Sequence, residues 1–220
     1  MTRPFNPVRQ PMFTAPPATL WLTAALVVLF VAFRLLPADW QAQVMLHGAF
    51  IPAVFWAELG GQETGLNGFL PLVSHMFLHH DVPHILMNAG LLLAFGSAVE
   101  RGVGSARFLV HFVITGVAGA VTLAVMQGPE LVRVYGASGA VFGSLGGALW
   151  LMYRSGVPAL KRRALQIGAV MMALNLVFGL IDFGLVGPGV RIAWQAHLGG
   201  FVVGILLMPL LARRTAPPAT

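Results

Sequence analysis

Two side chains with reactive chemistry stand near the ends of long apolar runs. Ser138 lies in VYGASGAVFG (134–143) and His197 in WQAHLGGFVVG (194–204). A serine hydroxyl needs a base before it can attack a carbonyl, and a neutral imidazole within about 2.6–3.2 Å is the usual one. With a reference pKa of about 6.5, histidine is mostly unprotonated at neutral pH. His84 and Asn88, in HILMN (84–88), are four residues apart and so share one helix face. Both can donate hydrogen bonds without bearing a full charge, which suits an oxyanion. The backbone N–H of Ser138 is a further donor. Each residue also has a plainer reading: Ser138 as a small interface residue, Asn88 as interhelical glue, His197 as a satisfied polar contact between spans. Ala140 and Val141 follow Gly139, so the full G-x-S-x-G elbow is absent.

The elements that position these groups follow from composition. Of 220 residues, 57% are hydrophobic and only 9% charged, against roughly 25% charged in soluble domains. Such a chain belongs in a bilayer, where the backbone must satisfy its own hydrogen bonds and the apolar runs are helices. Six runs stand out, at about 18–36, 84–99, 108–126, 137–153, 164–181 and 192–211. The expected organisation is a disordered cytoplasmic tail (1–17), one membrane domain (18–211) and a second short tail (212–220). Residues 37–83 are too long and too mixed for a turn; around Trp56 they read as interfacial or re-entrant structure.

With the N-terminus inside, ten of the thirteen Lys and Arg residues fall on the inner side. Arg34, Arg133 and Arg191 alone fall outside. By the positive-inside rule both termini are cytoplasmic, and the net charge of +6 reports topology rather than affinity for nucleic acid. Runs two, four and six then all start from the outer face. His84, Asn88, Ser138 and His197 each lie within about two turns, roughly 10 Å, of that start. Gly139, Gly143 and Gly147 form a stripe beside Ser138, and Gly200 and Gly204 another below His197. Such stripes let two helix backbones approach closely.

Other polar residues carry less. SHMFLHHDVPH (74–84) holds His75, His79, His80 and Asp81, but Met76 follows His75 and H-E-x-x-H is absent, so no metal site is expected. These residues read as a hydrated loop, or as an aid to water entry. With no cysteine, thiol and disulfide chemistry is excluded. His47 and His111 read as structural or interfacial and Asn175 as glue within the fifth span. Asp182, at that span's outer end, is a candidate to orient His197.

HILMN (84–88), GASGAVFG (136–143), AHLGGFVVG (196–204) and SAVERGVGS (97–105), in this order, resemble the rhomboid intramembrane serine proteases of the bacterial six-span type. The resemblance covers about residues 20–211. It implies an all-α, six-transmembrane-helix bundle with a long, partly membrane-embedded first loop. It implies Ser138 as nucleophile and His197 as general base, a dyad needing no acidic third member. His84, Asn88 and the Ser138 amide would form the oxyanion hole. Phe142 would pack on the catalytic histidine, and Gly136 and Gly139 would shape the turn around the serine. The fifth helix and loop 182–193 would be the mobile gate and cap. No cofactor is implied. The substrates would be single-span membrane proteins cut near the outer face of a bacterial inner membrane. The Trp-Arg pair often found in the family's first loop is missing, since Ala57 follows Trp56. The rival reading is a proteolytically inactive rhomboid-like protein that binds membrane proteins.

Overall fold

The computed structural model describes residues 15–181 and 192–212. Most of both expected tails, Asp182 and nearly all of loop 182–193 lie outside the described residues. Among those described the chain is helical, with one isolated bridge pairing Phe50 and Val134 and no strand. The helices are α1 (Pro17–Leu35), α2 (Ala38–Gly48), α3 (Pro52–Leu59), a single turn α4 (Pro71–Ser74), α5 (Val82–Val103), α6 (Ser105–Gln127), α7 (Ser138–Arg154), α8 (Pro158–Leu180) and α9 (Trp194–Leu211). Proline stands in the first helical turn of α1, α3, α4, α5 and α8. There its missing N–H removes only a donor the helix could not satisfy.

Among the described residues, five helices, α1, α5, α6, α8 and α9, are long and apolar enough to cross a bilayer. The protein is an all-α integral membrane protein. α7 has 17 residues, about 25 Å of helix, whereas α6 and α8 have 23 each, about 35 Å. α7 is the most enclosed: ten of its residues are buried, from Gly139 to Leu149.

The run expected at 84–99 extends from Val82 to Val103. Its start is capped by the Asp81 side chain, which accepts from the His84 N–H at 2.7 Å. It contains a π-helical turn at Leu92–Gly96. At its far end Gly104, with φ of 87°, donates its N–H to the Glu100 carbonyl at 2.7 Å and accepts from Phe108 N–H at 3.0 Å, so α5 closes and α6 opens on one residue.

Glu100 explains why polar residues continue so far along α5. Its buried carboxylate accepts from the N–H groups of Ala18 (3.0 Å) and Thr19 (2.6 Å), the Thr19 hydroxyl (2.7 Å) and the Ser105 hydroxyl (2.7 Å). One side chain thus caps two orphan donors at the start of α1 and ties α1, α5 and α6 together.

The long first connection is ordered into α2, α3, α4 and a 3-10 turn at His75–Phe77. Phe50 and Val134 exchange both backbone hydrogen bonds at 2.8 Å, and the Trp56 indole N–H donates to the Ala124 carbonyl at 3.0 Å. Phe50 and Phe55 pack with Ala120, Leu123 and Ala124 of α6. This connection is therefore built against α6 and the segment before α7.

The core of the bundle is the meeting of α7 and α9. A Cβ on Gly200 would overlap the Gly139 carbonyl, one on Gly204 the Gly143 carbonyl, and one on Gly146 the Phe201 carbonyl. Gly119 of α6 also approaches the Ala196 carbonyl, 2.7 Å from where a Cβ would sit. The contact is backbone on backbone, so an added methyl has no flexible neighbour to displace. Gly200→Ala is expected to lower stability by about 2–3 kcal/mol. Gly90→Ala, where nothing lies within 4 Å of the added Cβ, is expected to stay within about 0.5 kcal/mol. Thermal unfolding of the two variants in the same detergent checks this, and equal losses would contradict the packing argument.

Candidate active site

Ser138 is the first residue of α7 and His197 lies one turn into α9. The glycine contact brings them together: His197 Nε2 is 2.7 Å from Ser138 Oγ. The Phe142 ring, one turn along α7 from Ser138, stacks flat on the His197 imidazole, with centroids 4.3 Å apart and planes 6° apart. The other imidazole nitrogen, Nδ1, is 2.6 Å from Oδ1 of Asn175 on α8. Helices α7, α8 and α9 thus converge on one buried ring.

The turn before Ser138 is held from the first connection. The Gly136 N–H donates to the His75 carbonyl at 2.9 Å, and the Ala137 N–H points to His79 Nε2 at 3.5 Å. Gly136 has φ of +119°, a region L side chains avoid. A Cβ there would also lie 2.6 Å from His84 Nε2. Glycine is therefore required twice, for its backbone angle and for the imidazole against it. Gly139 is the residue whose carbonyl Gly200 packs on, so it shapes the α7–α9 crossing. Asn88 is buried one turn along α5 from His84. Its Nδ2 donates one hydrogen to the His84 carbonyl at 3.0 Å. The structure thus sets His84 directly against the Ser138 turn, while the nearest bonded partner of Asn88 is His84. As the first residue of a helix, Ser138 has a backbone N–H with no intrahelical acceptor.

Geometry alone describes a hydroxyl, an imidazole, an amide behind the imidazole and donors to one side. The sequence places this arrangement in a family. A family model described as the Rhomboid domain matches residues 66–214. The chain belongs to the rhomboid family of intramembrane proteases.

RHOMBOID-like protein 4 of Arabidopsis thaliana is 36% identical over 142 residues, 62% of this chain and 32% of that protein. RHOMBOID-like protein 5 of the same plant is 33% identical over 174 residues, 74% of this chain and 51% of that protein. The rhomboid protease GluP of Bacillus subtilis (strain 168) is 31% identical over 133 residues, 60% of this chain and 24% of that protein. The chain therefore spans about half or less of the length of these relatives.

In this rhomboid the histidines of residues 74–80 depart from the expected hydrated loop. His75 and His79 are buried, 4% and 1% exposed. His75 Nδ1 bonds the Pro71 carbonyl at 2.7 Å. Only His80 is exposed, stacked on Tyr135 and 3.4 Å from Asp81. No group of three or more potential metal ligands occurs among the described residues. His111, also buried, bonds the Gly204 carbonyl at 3.2 Å and so links α6 to α9. Asn175, read from the sequence as glue, sits on the imidazole, the place considered for Asp182. One signal for it was present: an amide within a span must find a partner. Spacing along one helix could not reveal which partner.

Burial holds the pKa of His75 down to about 4. It holds His79 down to about 3, helped by the neighbouring His84. Both folded values lie below the unfolded reference of about 6.5, so the stability these neutral rings contribute is complete above that pH and drains as pH falls toward 4. Each ring adds a slope of up to about 1.4 kcal/mol per pH unit. Unfolding in detergent between pH 7 and 4.5 should show this slope, and His79→Gln should reduce it by up to about 1.4 kcal/mol per pH unit. An unchanged slope in the variant would remove His79 from the account. Gly136→Ala should cost about 1–3 kcal/mol through its backbone angle, and should also displace His84 and suppress activity more than tenfold. Stability and activity measured on the same preparation test both parts.

Proposed function

We propose that this rhomboid is a serine endopeptidase that cleaves transmembrane proteins through a Ser138–His197 dyad. The observation that carries the proposal is the 2.7 Å approach of His197 Nε2 to Ser138 Oγ. In the proposed reaction, Nε2 takes the hydroxyl proton as Oγ attacks the scissile carbonyl. The resulting imidazolium then protonates the leaving amine, and water activated by the same nitrogen releases the acyl-enzyme. The Ser138 N–H, the second Nδ2 hydrogen of Asn88 and His84 would donate to the oxyanion. Phe142 would keep the imidazole in plane between the two half-reactions. Gly136 and Gly139 set the turn and the helix crossing on which this geometry depends.

The domain is read as residues 18–211, with α7 as a sixth, shorter span among the five longer ones. The excess of Lys and Arg on one side supports cytoplasmic termini and a site opening to the outer face of a bacterial inner membrane. Substrates are read as single-span proteins entering from the bilayer. A helix shields its own peptide bonds, so segments with poor helix propensity near the cut are favoured.

The test is cleavage of a model transmembrane substrate by purified protein. Ser138→Ala and His197→Ala should each reduce cleavage by at least a thousandfold while leaving thermal unfolding intact. A fluorophosphonate probe should label residue 138 of the wild type and neither variant. Full cleavage by either variant rejects the dyad. A folded wild type that neither cleaves nor labels favours the inactive, membrane-protein-binding reading.

A further inference from the structure

We propose that Asn175 is a positioning residue for His197: its side-chain amide, oriented by a backbone carbonyl, holds the imidazole in the tautomer that leaves Nε2 unprotonated toward Ser138. This rests on the dyad reading above and adds to it a dependence of the base on helix α8.

The chain of bonds leaves no freedom. The Trp194 carbonyl can only accept, and Asn175 Nδ2 donates to it at 3.1 Å. That fixes which end of the amide is nitrogen, so Oδ1 is the atom 2.6 Å from His197 Nδ1. An amide oxygen can only accept, so Nδ1 carries the proton. Nε2 then presents its lone pair to Ser138 Oγ, 2.7 Å away, and the hydroxyl donates. A main-chain carbonyl at the start of α9 thereby decides which nitrogen of His197 serves as base. In the opposite tautomer Nε2 would carry the proton and could not accept one from serine.

The polar partner is an amide where a carboxylate would have introduced a second charge into an apolar interior. Asn175 fixes orientation without that charge. It is 6% exposed and, with Ala164 and Gly168, one of three buried residues on α8. It is the outermost of the three; one turn further, Gly179 packs on the Trp194 side chain. The seating of α8 against the start of α9 and the protonation pattern of His197 are therefore one event. Among the described residues, His84 of α5 is the titratable group that interacts with His197, and α7 and α8 bring no charged side chain to it.

The experiment compares Asn175→Leu and Asn175→Asp with the full-length wild type, using the model transmembrane substrate across pH. Leucine matches the shape and removes the acceptor. It should lower kcat about 10–100-fold with KM within twofold. Aspartate keeps an acceptor at the same place and adds a charge favouring the imidazolium. Activity should therefore be retained at high pH, with the acidic limb of the kcat profile displaced upward by about one pH unit or more. A purely structural amide would let Asn175→Leu lose stability with kcat intact, and an amide out of contact with the imidazole would leave the acidic limb of Asn175→Asp unmoved; either result overturns the proposal. The aspartate variant answers on its own if the leucine variant does not fold. Fluorophosphonate labelling of Ser138 in the wild type is the control: without it the dyad fails and Asn175 falls with it, and with it the variants report on Asn175 alone.

Discussion

The contact of two helix backbones with nothing between them is what the rest of this molecule depends on. Gly139 and Gly143 on α7 offer their carbonyls to Gly200 and Gly204 on α9. In lipid no hydrophobic effect drives helices together, and association relies on van der Waals contact and polar bonds. Close approach maximises the first, and it also fixes the second. Ser138 directly precedes Gly139, and His197 precedes Gly200 by about one turn, so their separation is inherited from glycine positions that have no chemistry of their own. The approach of His197 to Ser138 is a by-product of how the core packs.

A second constraint is that burying a polar group is costly without a partner. Several partners here come from far along the chain. The Ala137 amide faces a histidine of the first connection, the Gly136 amide a carbonyl there, His197 an asparagine of α8, and the start of α1 a carboxylate of α5. These bonds run between elements distant in sequence, which makes the first connection part of the core architecture rather than an appendage. Its aromatic residues Phe50 and Phe55 pack on α6 as well.

This division explains which features are legible in the sequence. The glycine repeats, Ser138 and His197 were legible because each is a local pattern: period four within a helix, or a polar type where apolar types are the rule. The membrane class followed from composition alone. Asn175, Glu100 and His79 were visible as residues but not as partners. What decides their role is which donor or acceptor lies opposite, and that is a property of the packed bundle. Hydropathy ends the second run short for a related reason: it counts Glu100 by its charge, whereas in the fold that side chain is buried against four donors. The histidines at 75 and 79 read as a wet loop because histidine is polar, yet both rings are enclosed.

The shortness of α7 has its own consequence. A hydrocarbon layer is about 30 Å thick, and a helix of 17 residues reaches about 25 Å. A lipid-facing helix with that shortfall would pull the bilayer thinner around itself. α7 has little lipid beside it, because α6, α8 and α9 and the π turn of α5 surround it. The shortfall is met by neighbouring helices rather than by acyl chains, so α7 owes its place in the layer to protein contacts and not to a match with the bilayer.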